Sequence, residues 1–82
     1  MTITITKTQG NWTFGTVGSY DFEVKHFDKP STYGIKDGKI SKLWIGKKDI
    51  LETITRYDRG WDMVPLLDDE IEATSAVIDR FN

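Results

Sequence analysis

The sequence Tyr20-Asp21-Phe22-Glu23-Val24-Lys25-His26 alternates apolar or ring side chains with charged ones along seven consecutive residues. A period of two is the pattern of a β-strand, because successive side chains of a strand point to opposite faces of the sheet. One face of this strand is dry and the other is wet, as in antiparallel sheets that are covered on one side. The pattern therefore predicts a strand from Tyr20 to Phe27 in an antiparallel sheet.

Two further strands are predicted upstream. The run Thr2–Thr8 alternates threonine with isoleucine and is β-branched nearly throughout, which favours a half-buried strand with Ile3 and Ile5 facing inward. The run Trp12–Val17 follows after a glycine-containing turn, and a second such turn precedes Tyr20. The first 27 residues are thus expected to form three antiparallel strands.

A β-hairpin is predicted after the loop that contains Pro30. Asp37-Gly38 lies between the runs Tyr33–Lys36 and Lys39–Lys47. This dipeptide favours a type I′ turn, because both central residues of that turn take positive φ. The two runs are therefore expected to be paired strands.

Residues Ile50–Tyr57 fit two structures. Four of these eight residues are β-branched, and the preceding residues have the length of a hairpin turn, so a strand is favoured. Three apolar residues of the same run also lie at helical spacing. The alternative is a helix with Asp49 as N-cap and Gly60 as the C-cap signal.

The sequence from Asp68 onward predicts an amphipathic helix with Asp68 as the best N-cap. Its inward residues fall within about one third of the helical circumference, and they are Ile71, Thr74, Val77, Ile78 and Phe81. The predicted fold class is α+β: a single antiparallel β-sheet of four to six strands, arranged like a meander, with one C-terminal α-helix packed on one face. Residues 1–82 are expected to be a single domain.

Composition excludes several kinds of protein. The chain has no cysteine, which removes disulfides and thiolate chemistry and fits a cytoplasmic location. No stretch has the roughly 18 apolar residues that span a bilayer, so no membrane partner is expected. The net charge of −2 conceals an asymmetry, since residues 36–59 carry seven positive and four negative side chains, whereas residues 60–82 carry one and six. A basic and an acidic region are therefore expected.

Catalytic and metal-binding patterns are not found in the sequence. His26 lies on the apolar face of its predicted strand, which favours a partly buried, hydrogen-bonded histidine over a general base. The acidic residues 68–70 lack the spacing of a calcium loop and are typical of a helix N-terminus. The expectation is a protein without enzymatic activity, cofactor or metal; hydrolysis that depends on His26 is a third, weaker hypothesis.

A group of lysines suggests a second function, weak nucleic-acid binding. Its members surround two predicted turns and the strand between them, and they are Lys36, Lys39, Lys42, Lys47 and Lys48. Phosphate contacts by lysine give an affinity that falls steeply with salt. Solvation and protection of an exposed strand edge explain the same residues and are favoured.

The segment Tyr57–Asp62 has both a structural and a functional interpretation. In the structural one, Gly60 is left-handed, Trp61 folds over the sheet, and a neighbouring aspartate holds Arg59. In the functional one, Tyr57, Arg59, Trp61 and Asp62 contact a partner, since aromatic residues and arginine dominate interface hot spots. Trp44 shares a strand face with Lys42 and joins these candidates, although the helix would cover it if it packs on that face.

Four parts of the sequence are distinctive in combination: Gly34-Ile35, the run Gly38–Leu43, the segment Tyr57–Asp62 with Pro65, and a helix ending in Phe81-Asn82. In these parts the sequence resembles a family of small uncharacterised phage and prophage proteins of Gram-positive bacteria. The resemblance covers most of the chain from Trp12 onward. It implies the cytoplasm of a phage-infected bacterium as the setting.

Small phage proteins often bind and block host machinery, including defence systems. The expected function is therefore a phage-associated, non-enzymatic interaction protein that binds a host protein, with inhibition of a host defence system as one form of it. The alternative is the nucleic-acid-binding accessory protein described above. The chain itself is expected to be a monomer or a homodimer.

Overall fold

The computed structural model describes residues 1–50 and 52–82, which form six strands, a 3₁₀ turn at Ile35–Asp37 and one helix. The strands are β1 (Ile3–Gln9), β2 (Trp12–Val17), β3 (Tyr20–His26), β4 (Ile40–Lys47), β5 (Thr53–Asp58) and β6 (Trp61–Met63), and the helix is α1 (Asp68–Phe81). They form one open antiparallel sheet in the order β1 to β6, with α1 against one face. The predicted fold class is confirmed.

Strand β3 lies inside the sheet and shows the predicted alternation. Phe22 pairs with Ile45 of β4, and both side chains are buried under α1. The next pair in the ladder, Glu23 with Trp44, lies on the opposite face. Lys42 shares that face with Trp44, as predicted, so the helix covers neither of them. We call the face opposite α1 the open face.

The core fills the space between the sheet and α1. Phe81 packs against Phe22 with ring centroids 5.7 Å apart, and Val77 and Ala73 are fully buried between the layers. Full burial of a large apolar side chain stabilises the fold by about 1.5–3 kcal/mol. One polar pair lies in this core, a hydrogen bond of 2.9 Å between the hydroxyls of Thr55 and Thr74. The helix therefore packs through four of its five predicted inward residues, Thr74, Val77, Ile78 and Phe81.

Two residues predicted to face inward are exposed at the margin of the sheet. Ile5 shares the helix face with Ile3, but 43% of its surface is accessible because α1 covers the strands beyond β1. Ile71 is 45% exposed, whereas Ala73 is buried. At about 100° per residue, Ile71 lies roughly 90° from the centre of the buried helix face. Ile5 therefore faces inward as predicted but is not covered, and the prediction for Ile71 is wrong because of its position around the helix.

The predicted hairpin around Asp37-Gly38 is also wrong, because Tyr33–Lys36 forms no strand. Positive φ angles occur at Lys36 (53°) and Asp37 (56°), one residue earlier than predicted, and Gly38 has a φ of −101°. The turn is closed by the N–H of Gly38, which donates to the carbonyl oxygen of Ile35 at 2.9 Å. Ile35 is buried in the core and anchors the turn there.

Close packing explains why glycine stands at positions 34 and 38. A Cβ at Gly34 would collide with the carbonyl oxygen of Gly38, and a Cβ at Gly38 would collide with the side-chain amide of Asn82. That amide joins both sides of the turn: its oxygen accepts from the N–H of Lys39 at 2.9 Å, and its nitrogen donates to the carbonyl of Ile35 at 3.0 Å. The two glycines therefore allow neighbouring backbone and side-chain atoms to approach closely, and they do not form a type I′ turn.

The favoured strand at Ile50–Tyr57 is confirmed in its second half and the helix alternative is wrong. Strand β5 begins at Thr53, while Ile50 lies in the turn after β4, and residue 51 is outside the described residues. Two capping predictions also need correction. Leu67, not Asp68, occupies the N-cap position of α1, and the left-handed residue near the end of β5 is Arg59, with a φ of 58°, rather than Gly60.

Candidate functional site

The structure separates the predicted partner-binding residues. Tyr57 is buried on the helix face, and its hydroxyl donates to the carbonyl oxygen of Tyr33 at 2.7 Å. Trp61 pairs with Tyr57 across β5 and β6, with ring centroids 5.0 Å apart in an edge-on arrangement, and 46% of its surface is exposed. Asp62 is exposed beside it, whereas Trp44 is half-buried on the open face. Among the aromatic candidates, only Tyr57 and Trp61 are brought into contact.

Arg59 lines a depression to which Trp61 does not contribute. Its guanidinium group lies over the ring of Tyr33, 4.6 Å from the centroid, and is not paired with Asp58 or Asp62 as predicted. Asp58 instead forms a salt bridge of 3.8 Å with Lys42. Arg59 is thus part of a cationic site described below.

An exposed apolar strip runs along the edge of the sheet and into α1. More than half of the exposed large hydrophobic side chains of the described residues belong to it, and they are Trp61, Met63, Val64, Leu66, Leu67 and Ile71. Leu66 is the most accessible, at 80%. Strand β6 is an edge strand, so one row of its backbone groups has no neighbouring strand in the described sheet. We call these six residues the apolar strip.

Glu70 orders the backbone of the two leucines in the apolar strip. This side chain is buried, and its Oε1 accepts hydrogen bonds from the N–H groups of Leu66 at 3.1 Å and Leu67 at 3.2 Å. The N–H of Ile71 donates to the carbonyl of Leu67 at 2.9 Å, which closes the first helical turn. The leucine side chains are therefore presented by a fixed segment.

Negative charge borders the apolar strip. Asp62, Asp68 and Glu72 are exposed along it. Asp69 accepts a hydrogen bond of 2.7 Å from the hydroxyl of Tyr20, which raises the pKa of Tyr20 to about 12 and lowers the pKa of the Asp69 carboxyl. The acidic region predicted from residues 60–82 thus surrounds an apolar surface.

The open face carries aromatic side chains that the sequence interpretation did not combine. Trp12 and Phe14 stack with ring centroids 6.2 Å apart and an interplanar angle of 21°. The indole N–H of Trp44 donates to the hydroxyl of Thr53 at 2.9 Å, which fixes its ring. Glu23 lies beside Trp44 in the ladder, so aromatic and charged residues are mixed there.

A basic cleft of about 410 Å³ lies where β3, β4 and the β5–β6 turn meet the loop before the 3₁₀ turn. Its cationic residues are Lys25, Lys29, Lys39, Lys42 and Arg59, and none of its lining residues is acidic. We call this site the basic cleft. Lys25 and Lys29, which contribute to it, were outside the predicted lysine group.

The predicted lysine group is divided between two ends of β4. Lys39 and Lys42 line the basic cleft, and Lys36 does not. Lys47 forms a salt bridge of 3.7 Å with Glu52 and lines a different depression together with Lys48. Five residues along a strand span about 17 Å, and Lys42 and Lys47 line separate depressions.

His26 has the structural environment that its position predicted. Its Nε2 lies 3.1 Å from the hydroxyl of Thr13, and its ring packs on Phe81 with centroids 5.0 Å apart. Burial lowers the pKa of His26, and the negative charge of Asp28 opposes this shift in part. In residues 1–50 and 52–82 no group of three histidine or acidic side chains is arranged to hold a metal ion.

One sequence signal for the apolar strip was available. Met63-Val64-Pro65-Leu66-Leu67 is a run of five apolar residues without helix or strand period. Such a run in a connecting segment marks either a buried linker or a functional surface. The basic cleft had no comparable signal, because its residues come from four separate segments.

Comparison with known families assigns the chain to one family. The sequence model of a domain of unknown function, DUF7678, matches residues 11–82. The chain belongs to the DUF7678 family. Comparisons with curated proteins and with solved structures gave no match.

The DUF7678 match includes every element from β2 to α1, and it therefore contains both the apolar strip and the basic cleft. Strand β1 lies before the matched residues. Within the described part of the chain, no helix has the length and apolar character needed to cross a membrane.

Proposed function

We propose that this DUF7678 protein is a non-enzymatic interaction module that docks on a partner protein through the apolar strip. The observation that carries the proposal is the exposure of Trp61 on the edge strand β6 together with that of Leu66 and Leu67 in the ordered segment that follows it. Large exposed apolar patches on small soluble domains are typical of interaction sites. The alternative interpretation, in which Trp61 folds over the sheet as part of a buried turn, does not account for these exposed side chains.

The chemistry of the strip indicates the partner surface. An apolar ridge bordered by Asp62, Asp68 and Glu72 is complementary to an apolar groove with a positively charged rim. Burial in such a groove removes the apolar side chains from water, while the acidic border fixes orientation and excludes acidic surfaces. Trp61 is the expected hot spot, because tryptophan is enriched among residues whose truncation costs most.

The family resemblance supplies the setting of the proposal. The partner is a host protein in the cytoplasm of a phage-infected Gram-positive bacterium, and a component of a host defence system is the form of host protein that such a small binder would inhibit. The partner-binding surface differs from the predicted one, since Arg59 and Trp44 lie elsewhere and Leu66 and Leu67 are added.

Affinity capture from a Gram-positive bacterial lysate tests the proposal. Wild type is compared with Leu66→Ser, which removes a side chain that is 80% exposed, and with Ile5→Ser at the opposite edge strand as a matched apolar control. A retained partner should be lost in Leu66→Ser and kept in Ile5→Ser. Truncation of Trp61 to alanine should weaken binding of the purified partner about thirtyfold, equivalent to about 2 kcal/mol.

Two results would contradict the proposal. One is a set of partners that is identical for wild type, Leu66→Ser and Ile5→Ser. The other is a wild-type dimer, measured by light scattering, that becomes monomeric in Leu66→Ser, since the strip would then be covered by a second copy of the chain.

A further inference from the structure

The basic cleft concentrates positive charge that the protein itself does not neutralise. Among the described residues, salt bridges occur at Lys42 and Lys47, so Lys25, Lys29, Lys39 and Arg59 face the cleft without a carboxylate partner. Like charges gathered at one cleft repel one another, and an anion that enters it removes this repulsion. The chain has a net charge of −2, which makes such a local excess more notable. The cleft is therefore suited to a ligand with several negative charges.

Aromatic rings lie beside these cations. The Arg59 guanidinium covers the ring of Tyr33 at 4.6 Å, and the Lys25 ammonium lies 5.6 Å from the ring centroid of Phe27. Tyr33 is 57% exposed and Phe27 is 40% exposed, so both rings keep surface for a further contact. Two exposed rings interleaved with cations are the combination that holds stacked bases and their phosphates.

The walls of the basic cleft are fixed by backbone contacts. The N–H of Ser31 donates to the carbonyl of Gly38 at 3.0 Å, and the N–H of Arg59 donates to the carbonyl of Ser41 at 3.0 Å. The Tyr57 hydroxyl holds the carbonyl of Tyr33 at 2.7 Å. The backbone that carries the rings and cations is thus positioned before a ligand arrives, which reduces the entropy lost on binding.

We propose that the basic cleft binds single-stranded nucleic acid, with one base on Tyr33, a second on Phe27, and the phosphates on the surrounding cations. Four unpaired cations exceed what one phosphate group needs and suit a run of successive phosphates. Lys42 also lines the neighbouring depression that contains Trp12 and Trp44, but Glu23 and Asp58 line that depression too, so the phosphate contacts are assigned to the basic cleft alone. The proposal is independent of the apolar strip.

Fluorescence anisotropy with labelled twelve-residue oligo-dT and oligo-U tests the proposal. Three to four phosphate contacts give a salt slope of about −2 to −3, so affinity should fall about 20- to 50-fold between 50 and 200 mM salt. Tyr33→Ala, which removes an exposed ring, should weaken binding about 5- to 150-fold, as expected for loss of one stacked base. Inorganic phosphate, a mononucleotide and a duplex of the same length serve as competitors.

Two matched double variants distinguish binding at the basic cleft from a non-specific effect of positive charge. One double variant is Lys29→Ala/Lys39→Ala and the other is Lys47→Ala/Lys48→Ala. Each removes two positive charges, but only Lys29 and Lys39 line the cleft. The first variant should lose binding and reduce the salt slope, while the second and Leu66→Ser should bind as wild type does. Equal losses in both lysine variants, no binding at 50 mM salt, or a duplex or mononucleotide that competes as well as the oligonucleotide would each overturn the proposal.

Discussion

Replacement of Asn82 by alanine should destabilise the fold more than its exposed position at the end of α1 suggests. The Asn82 amide joins three backbone groups on both sides of the 3₁₀ turn. Its oxygen accepts from the N–H of Lys39 at 2.9 Å and of Ile40 at 3.3 Å, and its nitrogen donates to the carbonyl of Ile35 at 3.0 Å. The alanine variant loses all three bonds and keeps the backbone bond from residue 82 to Ile78.

The size of this effect follows from the number and the surroundings of the bonds. A typical hydrogen bond contributes about 0.5–1.5 kcal/mol net. The bond to Ile40 is long and the bond to Lys39 is exposed, so the low end of that range applies to them. The sum is about 2 kcal/mol. A domain of this size has about 4–12 kcal/mol in total, and a loss of 2 kcal/mol lowers Tm by about 8–16 °C.

Urea and thermal unfolding followed by tryptophan fluorescence measure the loss. Ser75→Ala is the control, because Ser75 is exposed on the same helix and truncation there should change the free energy of unfolding by less than about 0.5 kcal/mol. An Asn82→Ala variant within 0.5 kcal/mol of wild type would refute the role assigned to the amide. Its m-value should stay unchanged, since the turn is small.

Three further predictions concern the core, the helix N-terminus and the turn. Thr55→Val or Thr74→Val should each cost about 1–2 kcal/mol by leaving a buried hydroxyl without its partner, whereas the double variant should cost less than the sum of the two single variants; additive losses in urea unfolding would contradict this. Because the pKa of Tyr20 is raised to about 12, the free energy of unfolding should fall as pH rises from about 10 toward 12, and because the Asp69 pKa is lowered, it should also fall below about pH 4. Tyr20→Phe should flatten both ends of the wild-type pH profile, and a variant with the same profile would show that the bond contributes nothing. Gly38→Ala should cost roughly 1–3 kcal/mol in wild type and less in a variant without the Asn82 amide, which a double-mutant cycle measures.

The sequence was sufficient to predict a strand or helix and its buried face where buried residues recur at a simple period. The alternation from Tyr20 to His26 gave the strand and its two faces, and the apolar residues after Asp68 gave the helix. It failed at the margin of the sheet, because no local pattern shows how far one helix extends over six strands, and Ile5 and Ile71 lie beyond that limit. It also failed at Asp37-Gly38, where contact with Asn82, more than forty residues away, determines the backbone.

The candidate site was predicted only in part for a related reason. Trp61 and Asp62 were identified by residue type and are exposed. Arg59 was assigned to the same surface because it is close in sequence, but its left-handed conformation turns it toward Tyr33. Neighbours along a tight turn point to different surfaces, so sequence proximity there is a weak guide to a shared site.

Site-specific photo-cross-linking tests the central claim, that the apolar strip is the partner-binding surface, most directly. A photoreactive phenylalanine analogue is placed at Leu66 in one variant and at Ile5 in another, and each is irradiated in a Gram-positive bacterial lysate. The expected result is one saturable cross-linked host protein from position 66 and none from position 5. Cross-links of equal yield from both positions, or none from position 66, would contradict the claim.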